Sequence, residues 1–120
     1  MGYYKFENLD VWKLARQFTN VIYKITKNFS KDEQFGLTSQ IRRASVSIIL
    51  NIAEGSDRKS DADYARFLKI SKGSLDEVIA GCYIALDQEM ITQKQFEFIY
   101  ESSHKLAKKL NALINYLKKT

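Results

Sequence analysis

"QIRRASVSIILNIAEG", residues 40–55, is apolar enough to be buried, yet it carries Gln40, Arg42, Arg43, Asn51 and Glu54 and ends on a glycine. Spacing resolves the contradiction. At 100° per residue, Gln40, Arg43, Ser47, Asn51 and Glu54 fall within about 80° of one another, which is a single polar stripe on a helix. Leu37, Ile41, Ala44, Ile48 and Ile52 line one side of that stripe, and Val46, Leu50 and Ala53 line the other. A helix that is apolar on both sides of a narrow polar seam is expected to be covered on both, by its own bundle and by another subunit. Buried Arg43 and Glu54 would then each need a partner on another helix or chain, because an isolated buried charge costs several kcal/mol. The seam reads first as a network that fixes packing and register, with a ligand or nucleic-acid contact as the alternative.

The same helical period extends outward over the whole chain. Residues 9–28 place Val11, Leu14, Phe18, Val21, Ile22 and Ile25 on one side, with Trp12 and Ala15 flanking. The second segment, 31–54, contains the opening stretch. Residues 61–88 align Tyr64, Phe67, Leu68, Ser71, Leu75, Val78, Ile79, Cys82 and Leu86, and residues 93–117 align Ile99, Leu106, Leu110, Leu113 and Leu117. None alternates like a strand. Capping boxes open three of them: Ser30 with Glu33, Ser60 with Asp63, and Thr92 with Gln95. "KGSLDE" at 72–77 is kept inside the third helix because the apolar stripe stays in phase across it, with Gly73 and Gly81 expected to permit close backbone packing. Helices of this length joined by short connections assemble most economically as an antiparallel up-down-up-down four-helix bundle, a single all-α domain over residues 1–120.

Bulk composition agrees. Of 120 residues, 45% are hydrophobic and 28% charged, with no proline and a net charge of +5, the balance of a soluble globular chain. No apolar run is long enough to span a bilayer, and "MGYYKFENLD" lacks the order of a signal peptide, so a cytoplasmic, non-membrane protein is expected. "NFS" at 28–30, formally a glycosylation sequon, is chance in that compartment.

Three stretches carry a family resemblance: "FENLDVWKLA" near the start, "FGLTSQIRRASVSIILNIAEG" in the middle and "FLKISKGSLDEV" in the third helix. Together they resemble the bacterial four-helix-bundle proteins encoded by intervening sequences of the large-subunit (23S) ribosomal RNA gene, also labelled S23 ribosomal proteins. The resemblance covers nearly the whole chain. It departs at "SIILN", residues 47–51, where family members often carry a proline; no functional residue falls in doubt there. It implies an up-down bundle, in some members a ring-like homopentamer. The chain is also similar to the accessory protein of diversity-generating retroelements, a basic pentamer that works with a reverse transcriptase and nucleic acid. A biochemical role is not implied, because most of the family has none assigned, and the ribosomal label is no proof of a ribosome component.

Charge placement supplies the functional expectation. The excess lies in the first and last helices. Lys13, Arg16, Asn20, Lys24 and Lys27 form one stripe, and Lys105, Lys108, Lys109 and Lys119 cluster near Tyr116. First and last helices of such a bundle are neighbours, so the two stripes would merge into a surface able to follow a phosphate backbone of RNA or DNA. The rival reading is a scaffold whose target is another protein, its lysines only solubilising.

Catalytic chemistry has little to stand on. His104 is the only histidine and Cys82 the only cysteine, so no intramolecular disulfide and no usual transition-metal constellation can form, and Cys82 falls on the apolar stripe as a small core residue. "GSDRKS" lacks the spacing of a phosphate-cradling loop. Asp76 and Glu77 have no visible partner, and Tyr3, Tyr4 and Phe6 are expected to pack over the bundle end rather than stack bases. The chain is therefore read as a non-enzymatic, oligomeric bundle without cofactor.

Overall fold

A computed structural model describes residues 1–119. Four antiparallel helices form it: α1 (Asp10–Thr26), α2 (Leu37–Ser56), α3 (Asp61–Asp87) and α4 (Gln93–Lys118), with short 3-10 turns at Lys5–Asn8 and Lys31–Glu33. Within the described residues each helix packs closely on its two neighbours in the order α1, α2, α3, α4 and back to α1, and no diagonal pair brings its backbones as close. The all-α bundle expected from the periodicity is thus the fold, about 45 Å long and 25 × 21 Å across. Its centre is aliphatic: Ile22, Ile41, Ile48, Ile52, Leu68, Val78, Ile99, Leu106 and Leu110 are fully buried, at least one from each helix.

The start of α2 corrects the reading from Ser30. The Ser30 side chain makes no capping bond, and residues 31–33 form only a single 3-10 turn. Glu33 serves the real helix start instead, its carboxylate accepting from the Leu37 N–H at 3.3 Å. Gly36 makes this reach possible, because a Cβ there would lie 2.9 Å from the same Glu33 oxygen. Ser60 does cap α3, accepting from the Asp63 N–H at 3.1 Å, but Asp63 turns to Arg66 at 2.9 Å and leaves the box half made. Thr92 and Gln95 close theirs in both directions, at 3.0 and 2.9 Å.

α3 ends in a Schellman motif: the Met90 N–H donates to the Ala85 carbonyl at 2.8 Å and the Glu89 N–H to that of Leu86 at 3.0 Å. Glu89 holds the left-handed position there, with φ 60°, where glycine is the usual occupant.

α2 and α3 are clamped at both ends. A Cβ on Gly81 of α3 would meet Ile41 Cγ1 at 2.7 Å, and one on Gly55 of α2 would meet Phe67 Cβ at 2.7 Å. The glycine that closes the opening stretch therefore serves packing inside the last turn of α2. Gly73, by contrast, is exposed with open space around it, so it permits no close approach, contrary to the expectation. Between the clamps the Ser71 hydroxyl donates to the Ile48 carbonyl at 2.9 Å, and across α1–α2 the Thr19 hydroxyl donates to that of Ser45 at 3.2 Å. Arg42 answers another part of the opening question. Its Nε donates to Thr26 Oγ1 at 2.8 Å, its second guanidinium nitrogen reaches the Tyr23 carbonyl at 3.4 Å, and its plane lies 4.6 Å from the Tyr23 ring. A cation from α2 thereby covers the last turn of α1, where the helix dipole favours positive charge.

Candidate nucleic-acid face and groove of the second helix

Lys13, Arg16 and Lys24 on α1 with Lys27 at its C-cap, and Lys105, Lys108 and Lys109 on α4 with Lys119 at its C-cap, are all exposed. None joins an ion pair among the described residues, whose two pairs are Arg58–Glu54 at 3.0 Å and Arg66–Asp63 at 2.9 Å. α1 and α4 are in contact, as expected. On the wheel of α4, Tyr100 and Ala107 line a groove with α3, which puts Lys105 and Lys109 on the flank toward α1, with Lys108 and Lys119 facing outward. Arg16 leans the other way, its guanidinium 5.6 Å from the Trp12 ring centre.

The seam residues of α2 part company. Ser47 and Asn51 are half-buried and bonded: the Asn51 amide donates to the Ser47 carbonyl at 2.8 Å and its hydroxyl at 3.1 Å, and Ser74 of α3 bonds Ser47 at 3.0 Å. Gln40, Arg43 and Glu54 are exposed in the single chain, so the burial penalty that was expected to demand partners does not arise within it. Glu54 pairs with Arg58 one turn on. The second apolar side of the helix is also open: Leu50 is 59% exposed, with Val46 and Ala53 half-buried. Leu50 and Val46 line a groove of about 750 Å³ together with Tyr23, Phe35, Arg42 and Arg43. Phe35 on its rim is 92% exposed, and the Thr38 hydroxyl in its wall is buried without a hydrogen-bond partner.

Residues 57–72 carry five basic and three acidic residues, and residues 73–90 four acidic and no basic ones, so α3 averages to little while being strongly graded. α4 is graded oppositely along the chain, with Lys94, Glu97 and Glu101 early and Lys105, Lys108, Lys109, Lys118 and Lys119 late. Because the helices are antiparallel, both positive ends coincide. Lys59, Lys69 and Lys118 accordingly line one groove at the end of the bundle that holds the α2–α3 turn.

His104 and Asp76 line a shallow α3–α4 groove, but no hydrogen bond joins them. Cys82 is buried, and burial pushes its thiol up to about 12, which keeps it protonated and unreactive. The described residues hold no cluster of three or more metal-ligating side chains, and no helix among them is long and apolar enough to cross a membrane. Phe6 packs on Trp12 with ring centres 4.8 Å apart, as expected of an end-cap, whereas Tyr3 and Tyr4 stay 89% and 60% exposed.

The fold is similar to that of a solved structure, a protein of unknown function from the S23 ribosomal protein family of Bacteroides thetaiotaomicron VPI-5482. The two are 27% identical, align over 88% of this chain and 95% of the other, and superpose with a TM-score of 0.81. The sequence pattern of the 23S rRNA-intervening sequence proteins matches residues 7–112, and the chain belongs to that family. No curated protein matches it.

Proposed function

We propose that this bundle is a non-enzymatic protein that self-associates through the outer face of α2 and binds RNA or DNA through the basic faces of α1 and α4. One observation carries the nucleic-acid reading: eight exposed cations on two adjacent helices, none neutralised by an ion pair. Uncompensated cations on a phosphate polyanion release counterions, which gives affinity without sequence readout. Self-association rests on the groove beside Arg43, where Phe35 and Leu50 stand in water and the Thr38 hydroxyl lacks a partner. A ring, pentameric as the family resemblance implies, would repeat the basic face around its circumference.

The test is fluorescence anisotropy of a labelled structured RNA and a matched duplex DNA between about 50 and 200 mM salt. Binding should weaken steeply with salt and vanish when Lys105, Lys108 and Lys109 are all changed to Glu. A variant that binds as wild type refutes the basic-face reading. The open apolar groove also favours a second reading, a scaffold that docks another protein, a reverse transcriptase being one such partner. It predicts no nucleic-acid binding and a triple variant that still captures its partner.

A further inference from the structure

Tyr3 and Tyr4 are large aromatic side chains standing in water, and they are not isolated. Tyr3 meets Tyr4 edge-on at 5.0 Å, Tyr4 lies over Phe6 at 5.8 Å with planes 27° apart, Phe6 packs on Trp12 at 4.8 Å, and Arg16 closes the series 5.6 Å from the Trp12 ring. The result is a ladder of rings anchored at its inner end in the bundle and free at its outer end. Its outer half borders a groove of about 800 Å³, whose other walls include Leu50, Ala53, Lys5 and Arg58. Glu54 and Asp57 also face this groove; Glu54 is already paired with Arg58. The unpaired cations next to the ladder are Lys5, in the wall of the groove, and Arg16, at the inner end of the series.

Exposed rings beside Lys5 and Arg16, neither of which joins an ion pair among the described residues, have one good occupant: unpaired bases whose backbone runs along those cations. Bases present two π-faces and are sequence-tolerant stacking partners, while a duplex hides those faces inside its own stack. From this geometry we infer that Tyr3 and Tyr4 form a stacking platform for the unpaired bases of a single-stranded nucleic acid. The inference rests on the proposed nucleic-acid binding and adds to it the strand state of the ligand. Phosphates supply the affinity common to all strands; the ladder supplies the part that duplexes cannot use.

The experiment compares wild-type protein with a Tyr3→Ala/Tyr4→Ala variant and a Tyr3→Phe/Tyr4→Phe variant. The probes are a labelled short oligouridine, whose bases barely stack on themselves, and a duplex RNA of equal length. The Ala variant should lose about tenfold or more in affinity for the single strand. Its duplex affinity and salt dependence should stay unchanged, and the Phe variant should bind as wild type because stacking needs the ring and not the hydroxyl. An Ala variant that holds the single strand as well as wild type overturns the platform, and retained duplex binding would then leave the basic-face reading standing. Failure of wild-type protein to bind either probe at low salt overturns both. A change of assembly mass in the Ala variant also overturns the platform, because the tyrosines would then belong to a contact between copies.

Discussion

Single residues of this chain are set by the space and backbone around them, and three substitutions separate the cases. Gly73→Ala should raise stability by about 0.5 to 1 kcal/mol, because an exposed helical glycine with nothing near its Cβ position contributes only unfolded-state entropy. Glu89→Gly should do the same by a similar amount, relieving a left-handed conformation that costs an L side chain about 1 kcal/mol. Gly81→Ala should lower stability by roughly 1 to 3 kcal/mol by forcing α3 away from Ile41. Urea denaturation of the three variants checks all of these signs. Cys82 predicts a pH dependence. Above about pH 9 the thiol of the unfolded chain ionises while the buried one, at about 12, keeps its proton, so the folded state binds more protons and stability falls as pH rises through that window. Burial of the Tyr64 phenol acts in the same direction. Denaturation midpoints should drop between about pH 8 and pH 10.5, and by less in a Cys82→Ala variant.

At the scale of elements, the helices were legible because their core positions repeat at 3.6, and the ends were legible only where one side chain could cap them. Thr92 and Gln95 read correctly because both bonds are local. Ser30 misled because Gly36, six residues later, lets Glu33 reach a different helix start, and nothing in a four-residue box signals that. Arg42 was invisible for another reason: its partners, Thr26 and Tyr23, lie on a neighbouring helix, so only the tertiary arrangement reveals it as the lid on α1. Removing that lid as Arg42→Ala should destabilise the fold by about 1 to 2 kcal/mol and increase hydrogen exchange selectively in the last turn of α1. Arg42→Lys should recover only part of the loss, since an ammonium cannot both stack on Tyr23 and bond two acceptors. Equal exchange rates along α1 in the Ala variant would contradict the assignment.

For the whole molecule, the proposed self-association places the open face of α2 in the contact, and a substitution there tests it. Leu50→Lys should lower the mass measured by light scattering without lowering the melting temperature, because the side chain stands in water within the single chain. An unchanged mass would remove α2 from the contact. Arg43→Ala tests the polar seam in the same assay. The seam itself was found on the wheel, but its exposure was not, because periodicity orders residues around a helix without saying which arc its own bundle covers. The two basic stripes were legible for the same reason that the graded charge was not: a wheel keeps angle and discards height.

Height is what gives the bundle a direction. With α3 and α4 both positive at the end that holds Lys59, Lys69 and Lys118 and both acidic toward the other, this half of the bundle carries an electric dipole along the long axis, while Lys24, Lys27, Arg42 and Arg43 of α1 and α2 stand at the opposite end. In the field of a polyanion such a body feels a torque before it feels a contact, and it turns its positive pole forward while still a Debye length away. For a polyanionic ligand of the kind proposed, the angle of approach would be selected during diffusion, and collisions presenting the acidic ends of α3 and α4 would be discouraged without any steric gate.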